Sequence, residues 1–186
     1  DLLDEAGLHA DCDQLILSSS DGMTIGAPAK AVMDGRDALL AVGMNGEPLP
    51  VQHGFPARIV VPGLYGYVSA TKWLKQIELT RFDRFDQYWV KRGWVDQAPI
   101  KLQSRIETPR SLSSLDAGVV AIAGTAWAQT RGIARVEVRI DDGDWMEAVL
   151  AAELNNATWR QWSYSWKATS GRHTVSVRAT DKNGPI

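Results

Sequence analysis

His53, Arg58 and Lys72 are three cationic or hydrogen-bonding side chains in one stretch of chain that is dense in glycine and proline. The stretch reads Met44-Asn45-Gly46-Glu47-Pro48-Leu49-Pro50, His53-Gly54-Phe55-Pro56-Ala57-Arg58, Val61-Pro62-Gly63-Leu64-Tyr65-Gly66 and Lys72-Trp73-Leu74. Glycines and prolines fix sharp turns, and a glycine-rich loop lets backbone N–H groups approach an anion. An arginine guanidinium offers a two-pronged fork to a phosphate. The pattern suits a ligand that carries a phosphate. A structural reading competes with it: a histidine packed beside a turn, with Arg58 and Lys72 as solvated charges. Spacing alone leaves both open.

The other reactive side chains are few. Cys12 is the single cysteine, so no internal disulfide can form and the compartment stays open. It opens an apolar run, Cys12 to Leu17, where a free cysteine serves as a small buried hydrophobe. Asp21, in Ser20-Asp21-Gly22, has the signature of a turn residue that bonds its own backbone. Tyr88-Trp89-Val90-Lys91-Arg92-Gly93-Trp94 is an aromatic and basic cluster further on.

The elements that must hold these residues fall into two textures, 1–104 and 105–186. In the first, Asp1 to Leu8 reads as a helix end stopped by Gly7. Pro28 to Met33 suggests a short helix, and Asn45-Gly46 after an apolar run marks a hairpin. Short strands are expected at Cys12 to Leu17, Arg58 to Val61 and Lys75 to Thr80. The segment from Ala98 to Pro109 reads as a link. Beyond it, Val136, Val138 and Ile140 point one way and Arg135, Glu137 and Arg139 the other. Trp162, Tyr164 and Trp166 share one face of another strand. Short alternating strands between turns predict a β-sandwich.

With 186 residues and 45% hydrophobic side chains, the chain can bury a real core. A formal net charge of -2 supplies no global basic field, so no nucleic-acid partner is expected. No apolar run approaches the roughly 20 residues of a membrane helix. The first residue is Asp rather than Met, and both ends read as cuts in a longer protein.

The ordered series Asn-Gly-Glu-Pro-Leu-Pro, His-Gly-Phe-Pro-Ala-Arg, Val-Pro-Gly-x-Tyr-Gly and Lys-Trp-Leu resembles the late part of the molybdopterin-binding domain of the sulfite oxidase family. Ile133-Ala134-Arg135-Val136-Glu137-Val138, Asp142-Gly143-x-Trp145, Trp159-Arg160-x-Trp162 and Arg178-Ala179-Thr180-Asp181 resemble that family's immunoglobulin-like dimerisation domain. The resemblance implies a partial α+β molybdopterin-binding domain followed by an all-β immunoglobulin-like sandwich. It implies a molybdenum cofactor, contacted by His53, Arg58 and Lys72, with Ala70 and Thr71 beside Lys72. Asp21 is the candidate for the family's acidic contact. The family's molybdenum-ligating cysteine lies upstream of the matched segment, so Cys12 is not expected to bind metal. A tyrosine is expected near the metal, and the alignment puts Trp94 there, with Tyr88 and Arg92 as pocket-lining candidates. That departure puts sulfite itself in doubt and leaves S- and N-oxides open. A homodimer through the sandwich and a small-molecule substrate follow from the same resemblance. The electron acceptor is not indicated.

Two rival readings stand beside this one. A sandwich with this many tryptophans could be a non-catalytic binding or adhesion module, presenting a planar exposed row of rings. The chain could also be a relative that keeps the fold and has lost the cofactor.

Overall fold

Apolar side chains at consecutive positions, rather than alternate ones, mark a strand buried on both faces. Leu15, Ile16 and Leu17 are such a run, and they form the centre of the first sheet. The computed structural model describes residues 2–7 and 11–184, and its contacts group into two units, Asp1–Pro99 and Ile100–Ile186. The chain is mostly β, with few helical residues.

The first unit contains α1 (Leu2–Ala6), β1 (Gln14–Ser19), β2 (Thr24–Pro28), α2 (Ala29–Met33), β3 (Leu39–Ala41), β4 (Gly43–Met44), β5 (Glu47–Pro48), β6 (Arg58–Val60) and β7 (Leu74–Thr80). Gly7 ends α1 in a left-handed conformation (φ 78°), its N–H donating to the Leu3 carbonyl at 3.1 Å. The expected helix end extends to Asp1 and Leu8, which lie outside the described residues. Strand β1 is central, antiparallel to β2 on one side and β7 on the other. Two further pairs, β3 with β6 and β4 with β5, complete the unit. Asn45 (φ 55°) and Gly46 (φ 81°) close the β4–β5 hairpin, the two left-handed positions that a tight two-residue turn requires. The core gathers Leu15, Leu17, Ile25, Ala27, Val61 and Val68. The helical part of the expected α+β architecture amounts to two five-residue helices and short 3-10 turns among the described residues.

The second unit contains β8 (Gln103–Thr108), β9 (Gly118–Trp127), β10 (Ile133–Ile140), β11 (Met146–Glu147), β12 (Val149–Leu150), β13 (Arg160–Ala168) and β14 (Val175–Asp181). They form two sheets, ordered β12-β13-β9-β8 and β11-β10-β14, around Ile122, Val136, Val138 and Trp162. Strand β8 lies inside the segment that reads as a link. Its Ile106, with Leu102 just before it, packs on this core, and its backbone is paired with β9. Pro109 and the turn after it mask that short alternation. Glu137, on the face opposite Val136 and Val138, is nearly covered. Arg178 grips it through two hydrogen bonds, 2.8 and 3.0 Å, and holds its carboxyl below the usual range.

The tryptophans do not form an exposed planar row among the described residues. Trp162 is 2% exposed in the core. Trp127 and Trp159 meet edge to face at 4.4 Å. Trp145 lies under the guanidinium carbons of Arg139 and Arg178 at 4.9 and 4.4 Å, and Trp166 abuts His173 at 5.0 Å. That arrangement removes the ground for a flat aromatic binding platform.

His173 joins two turns of the sandwich. Its Nδ1 lies 2.8 Å from Asp141 Oδ2, and its Nε2 lies 3.1 Å from the Thr169 carbonyl. The Asp141 hydrogen bond raises the imidazole pKa, and the same bond, with the Thr174 N–H, lowers that of Asp141. A histidine with a raised folded pKa contributes stability fully below its unfolded value and loses it as pH rises through the folded one. An aspartate with a lowered folded pKa contributes above its unfolded value and loses that contribution as pH falls through the folded one. The clasp should therefore hold from below the ordinary carboxylate range to above the ordinary imidazole range. We expect an NMR titration to place His173 above the usual imidazole value near ~6.5. In His173→Gln, the loss of melting temperature between about pH 6 and 8 should become shallower than in the parent. A His173 titration at or below the ordinary value would exclude the clasp.

Candidate functional site

The site is assembled by three backbone segments of the first unit. The β1–β2 turn, Ser20-Asp21-Gly22, is fixed on the start of β7 by the Ser20 N–H, which donates to the Trp73 carbonyl at 3.0 Å. Residues 71–74 are then laced to residues 54–59. Ile59 N–H donates to Thr71 O at 3.1 Å, Trp73 N–H to Gly54 O at 3.2 Å, and Leu74 N–H to Ala57 O at 2.9 Å. Asp21, Gly54, Arg58, Thr71 and Lys72 are thereby brought to one end of the β1–β7 pair.

Three side-chain donors converge on consecutive carbonyls of one 3-10 turn, Val51–His53. Trp73 Nε1 donates to Val51 O at 2.7 Å, Lys72 Nζ to Gln52 O at 3.2 Å, and an Arg58 terminal nitrogen to His53 O at 3.2 Å. Cations suit this end of a turn, where carbonyls point outward without intrahelical partners. Gly54 follows with φ 116°, and the lacing needs it to be glycine. A Cβ there would stand 3.0 Å from Arg58 Cβ and 3.2 Å from Lys72 Cβ, so Gly54 lets the two cationic side chains leave the backbone side by side. Lys72 also lies 4.3 Å from the Trp73 ring centroid, and Trp73 itself is left-handed (φ 50°).

Asp21 turns on itself as a turn aspartate does, its Oδ1 accepting from Met23 N–H at 3.0 Å. That backbone bond is the main cause of its lowered pKa, with the nearby Ser19 side chain and, least, the charge of Lys72 adding to it. Asp21 therefore belongs electrostatically to the same cluster as Lys72. His53 gives its carbonyl to Arg58, while its side chain is exposed. Ala70 N–H donates to Gly66 O at 3.0 Å and leads into buried Thr71.

Three polar atoms at this end are buried without a hydrogen-bond partner among the described residues: Ser19 Oγ, Arg58 Nε and Thr71 Oγ1. A buried polar group left unpaired costs roughly 1–3 kcal/mol, more when charged. An anionic group set against Arg58 would supply the missing acceptor. The donor set thus fits a phosphate-bearing ligand. It does not resemble a metal centre: no group of three or more His, Cys, Asp or Glu suited to a metal occurs among the described residues.

Cys12 is far from the cluster. It precedes β1, whereas the cluster follows the other end of that strand, and six strand residues span roughly 20 Å. Its thiol donates to the Gln14 carbonyl at 3.3 Å and packs against the apolar core.

Tyr88, Arg92 and Trp94 form a second group around the 3-10 turn Val90–Arg92, which Gly93 (φ 85°) closes. The Arg92 guanidinium carbon lies 3.5 Å from the Tyr88 ring centroid and a terminal nitrogen donates to Tyr88 O at 3.0 Å. Trp94, half exposed, meets Tyr67 edge to face at 4.8 Å and Trp89 at 5.0 Å. Tyr67 anchors this group through a 2.9 Å hydrogen bond to Val95 O, and burial raises its phenol pKa. Tyr67 and Trp73 are residues that position the two groups and that the sequence does not single out. Tyr67 is one of two tyrosines flanking Gly66, and Trp73 directly follows Lys72, which in retrospect are the signals for both.

The model of the oxidoreductase molybdopterin binding domain family matches residues 1–89, and that of the bacterial Ig domain family matches residues 103–177. Mitochondrial sulfite oxidase of Homo sapiens is 31% identical over 192 residues, which cover 89% of this chain and 35% of that protein. The Mus musculus enzyme is 33% identical over 210 residues, covering 95% and 38%. The uncharacterized oxidoreductase YuiH of Bacillus subtilis is 36% identical over 94 residues, covering 50% and 46%. Among solved structures, the sulfane dehydrogenase SoxCD from Paracoccus pantotrophus superposes with a TM-score of 0.77 at 25% identity, covering 99% of this chain and 50% of that one. The chain thus spans less than half the length of these curated relatives.

Proposed function

The chain belongs to the sulfite oxidase family of molybdopterin-binding oxidoreductases, and from that membership we propose that residues 1–99 are the later part of an α+β molybdopterin-binding domain, followed by an immunoglobulin-like dimerisation domain. On this reading the intact protein is a molybdenum-cofactor oxidoreductase, and this chain supplies contacts to the anionic end of the pterin. Arg58 and Lys72 offset its charge, Thr71 and the backbone near Ala70 add hydrogen bonds, and the His53 ring closes the exposed side. Asp21, in the β1–β2 turn, is the acidic contact to the cofactor. When bound, the cofactor supplies a molybdenum centre for redox chemistry on a small substrate such as sulfite or an S- or N-oxide. The metal's thiolate comes from a cysteine outside this chain, in keeping with Cys12 facing the core. Tyr88, Arg92 and Trp94 line the substrate's approach. A bulky, half-exposed indole at the position where the family carries a tyrosine favours a substrate other than sulfite, and SoxCD, a sulfane dehydrogenase, widens the class to sulfane sulfur.

The observation that carries the reading is the convergence of Arg58, Lys72 and Trp73 on one turn while Arg58 Nε, buried beside them, lacks an acceptor. The test is the composition of the intact protein purified from a host that makes the cofactor. Molybdenum by elemental analysis and oxidised pterin by fluorescence should both be present in near-stoichiometric amounts. Protein that is folded and contains neither would overturn the assignment and favour a relative that has lost its cofactor.

A further inference from the structure

Gln14 opens β1 directly before the apolar run Leu15-Ile16-Leu17, and it is as deeply buried as they are. A primary amide taken out of water is costly unless its polar atoms find partners. Those partners lie beyond the end of the neighbouring strand. Gln14 pairs with Thr80, the last residue of β7, and its side chain reaches past it to the turn 81–85. The groups within reach of that end of the amide are backbone carbonyls, so the nitrogen faces them. It donates to Arg81 O at 3.2 Å and to Phe85 O at 3.1 Å. Asp13, the residue before, holds the same turn, its Oδ1 accepting from Phe82 N–H at 2.8 Å. Room for the amide comes from Gly26 of β2, two residues before Pro28, the cross-strand partner of Gln14. A Cβ at Gly26 would fall on the Gln14 amide. Two residues after Phe85 comes Gln87, also fully buried. Its Oε1 accepts from Trp89 N–H at 3.0 Å and its carbonyl from Lys91 N–H at 3.3 Å, which shapes the turn that carries Tyr88, Arg92 and Trp94.

We infer that Gln14 is a positioning residue for the group Tyr88, Arg92 and Trp94. The inference rests on the proposed place of that group on the substrate's approach, and it adds what sets the group's position. Contacts among Tyr88, Trp89, Arg92, Trp94 and Tyr67 give the group its internal shape. Asp13 and Gln14 tie the segment leading into it to the central strand of the sheet. The amide fixes where residues 81–85 leave β7, and buried Gln87 carries that placement into the next turn. An apolar side chain of similar volume would fill the same space, and such a replacement is often neutral for stability. What it cannot do is set a direction, because packing is not directional and a pair of hydrogen bonds is. Small misplacements of groups that orient a substrate are felt in its binding.

The test is fluorine NMR of the intact protein labelled with 5-fluorotryptophan, the Trp94 and Trp73 signals being assigned by Trp94→Phe and Trp73→Phe. In Gln14→Met, which keeps the length and removes the amide, the Trp94 signal should shift or broaden. Trp73, in the cluster beyond the other end of β1, should keep its signal, and molybdenum content should stay at the parental level. Gly26→Ala should reproduce the Trp94 change by displacing the amide. In a Gln14→Ala background, where there is no amide to displace, Gly26→Ala should leave Trp94 where the single Gln14→Ala puts it. A Trp94 signal unmoved in Gln14→Met overturns the inference, and so does a Trp73 signal that moves as much, which would make Gln14 a residue of the fold at large. Kinetics then separate the inference from the reading beneath it. With the substrate that the parent turns over fastest among sulfite, thiosulfate and dimethyl sulfoxide, Gln14→Met should raise KM at least threefold and change kcat less than twofold. A Trp94 signal that moves while KM stays put keeps the anchoring and takes the group off the substrate's approach.

Discussion

Replacing Arg58 with alanine should lower the cofactor occupancy of the intact protein by roughly tenfold to a hundredfold. A hydrogen bond to a charged group contributes about 1.5–3 kcal/mol, and about 1.4 kcal/mol is a factor of ten. Among the described residues Arg58 makes one side-chain hydrogen bond, to the His53 carbonyl at 3.2 Å, and its Nε is buried without an acceptor. Most of what the alanine removes is therefore an interaction with the ligand rather than with the fold. The melting temperature of cofactor-free protein should move little. Arg58→Lys should recover part of the loss, because it keeps the charge and loses the fork. Lys72→Ala should behave like Arg58→Ala, while Asp21 stays held by the Met23 N–H. The measurement is molybdenum per folded chain after equal purification. Unchanged occupancy in Arg58→Ala, with the parent fully loaded, would remove Arg58 from the site without touching membership in the family.

How much of this was legible in the sequence depended on whether the signal was local. The Asn45-Gly46 hairpin, the Gly7 helix stop and the two-faced strands of the sandwich are local rules, and each appears where the sequence puts it. The cluster was legible as a list of residue types and as an ordered series of motifs. What brought its members together was not legible. Ser20 N–H to Trp73 O and Leu74 N–H to Ala57 O are long-range pairings between irregular segments, and no periodicity announces them. The role of Trp73 shows this best. Its indole reaches back to Val51 O from a left-handed backbone, which nothing in its identity foretells. Glu137 is a related case: alternation gives its face, but that cross-strand Arg178 covers it is not legible along the chain. Strand β8 reads as a link because one short strand beside Pro109 carries too few alternations to stand out from a loop.

Gly124→Ala should destabilise the second unit by about 1–3 kcal/mol or more, although alanine normally improves a strand interior by roughly 0.5–1 kcal/mol over glycine. The sign is decided by space. Gly124 lies inside β9, flanked by Ile106 of β8 and Trp162 of β13. An added Cβ would fall on the Arg105 carbonyl and stand 2.8 Å from Trp162 Cζ2. The carbonyl is backbone of a paired strand, and the indole is nearly fully buried, so neither has a free direction in which to move. Closely packed interiors pass such an intrusion on as backbone shifts. Denaturant unfolding followed by tryptophan fluorescence measures the change. A double-mutant cycle with Trp162→Leu separates the two obstacles. If the ring is the main one, Gly124→Ala should cost much less in the Trp162→Leu background. If the Arg105 carbonyl is the main one, the cost should persist, and the β8–β9 pairing should be what loosens, seen as faster amide exchange in β8. An alanine that leaves stability within about 0.5 kcal/mol, the range of an ordinary surface change, would mean that β8 does not pair with β9 as described.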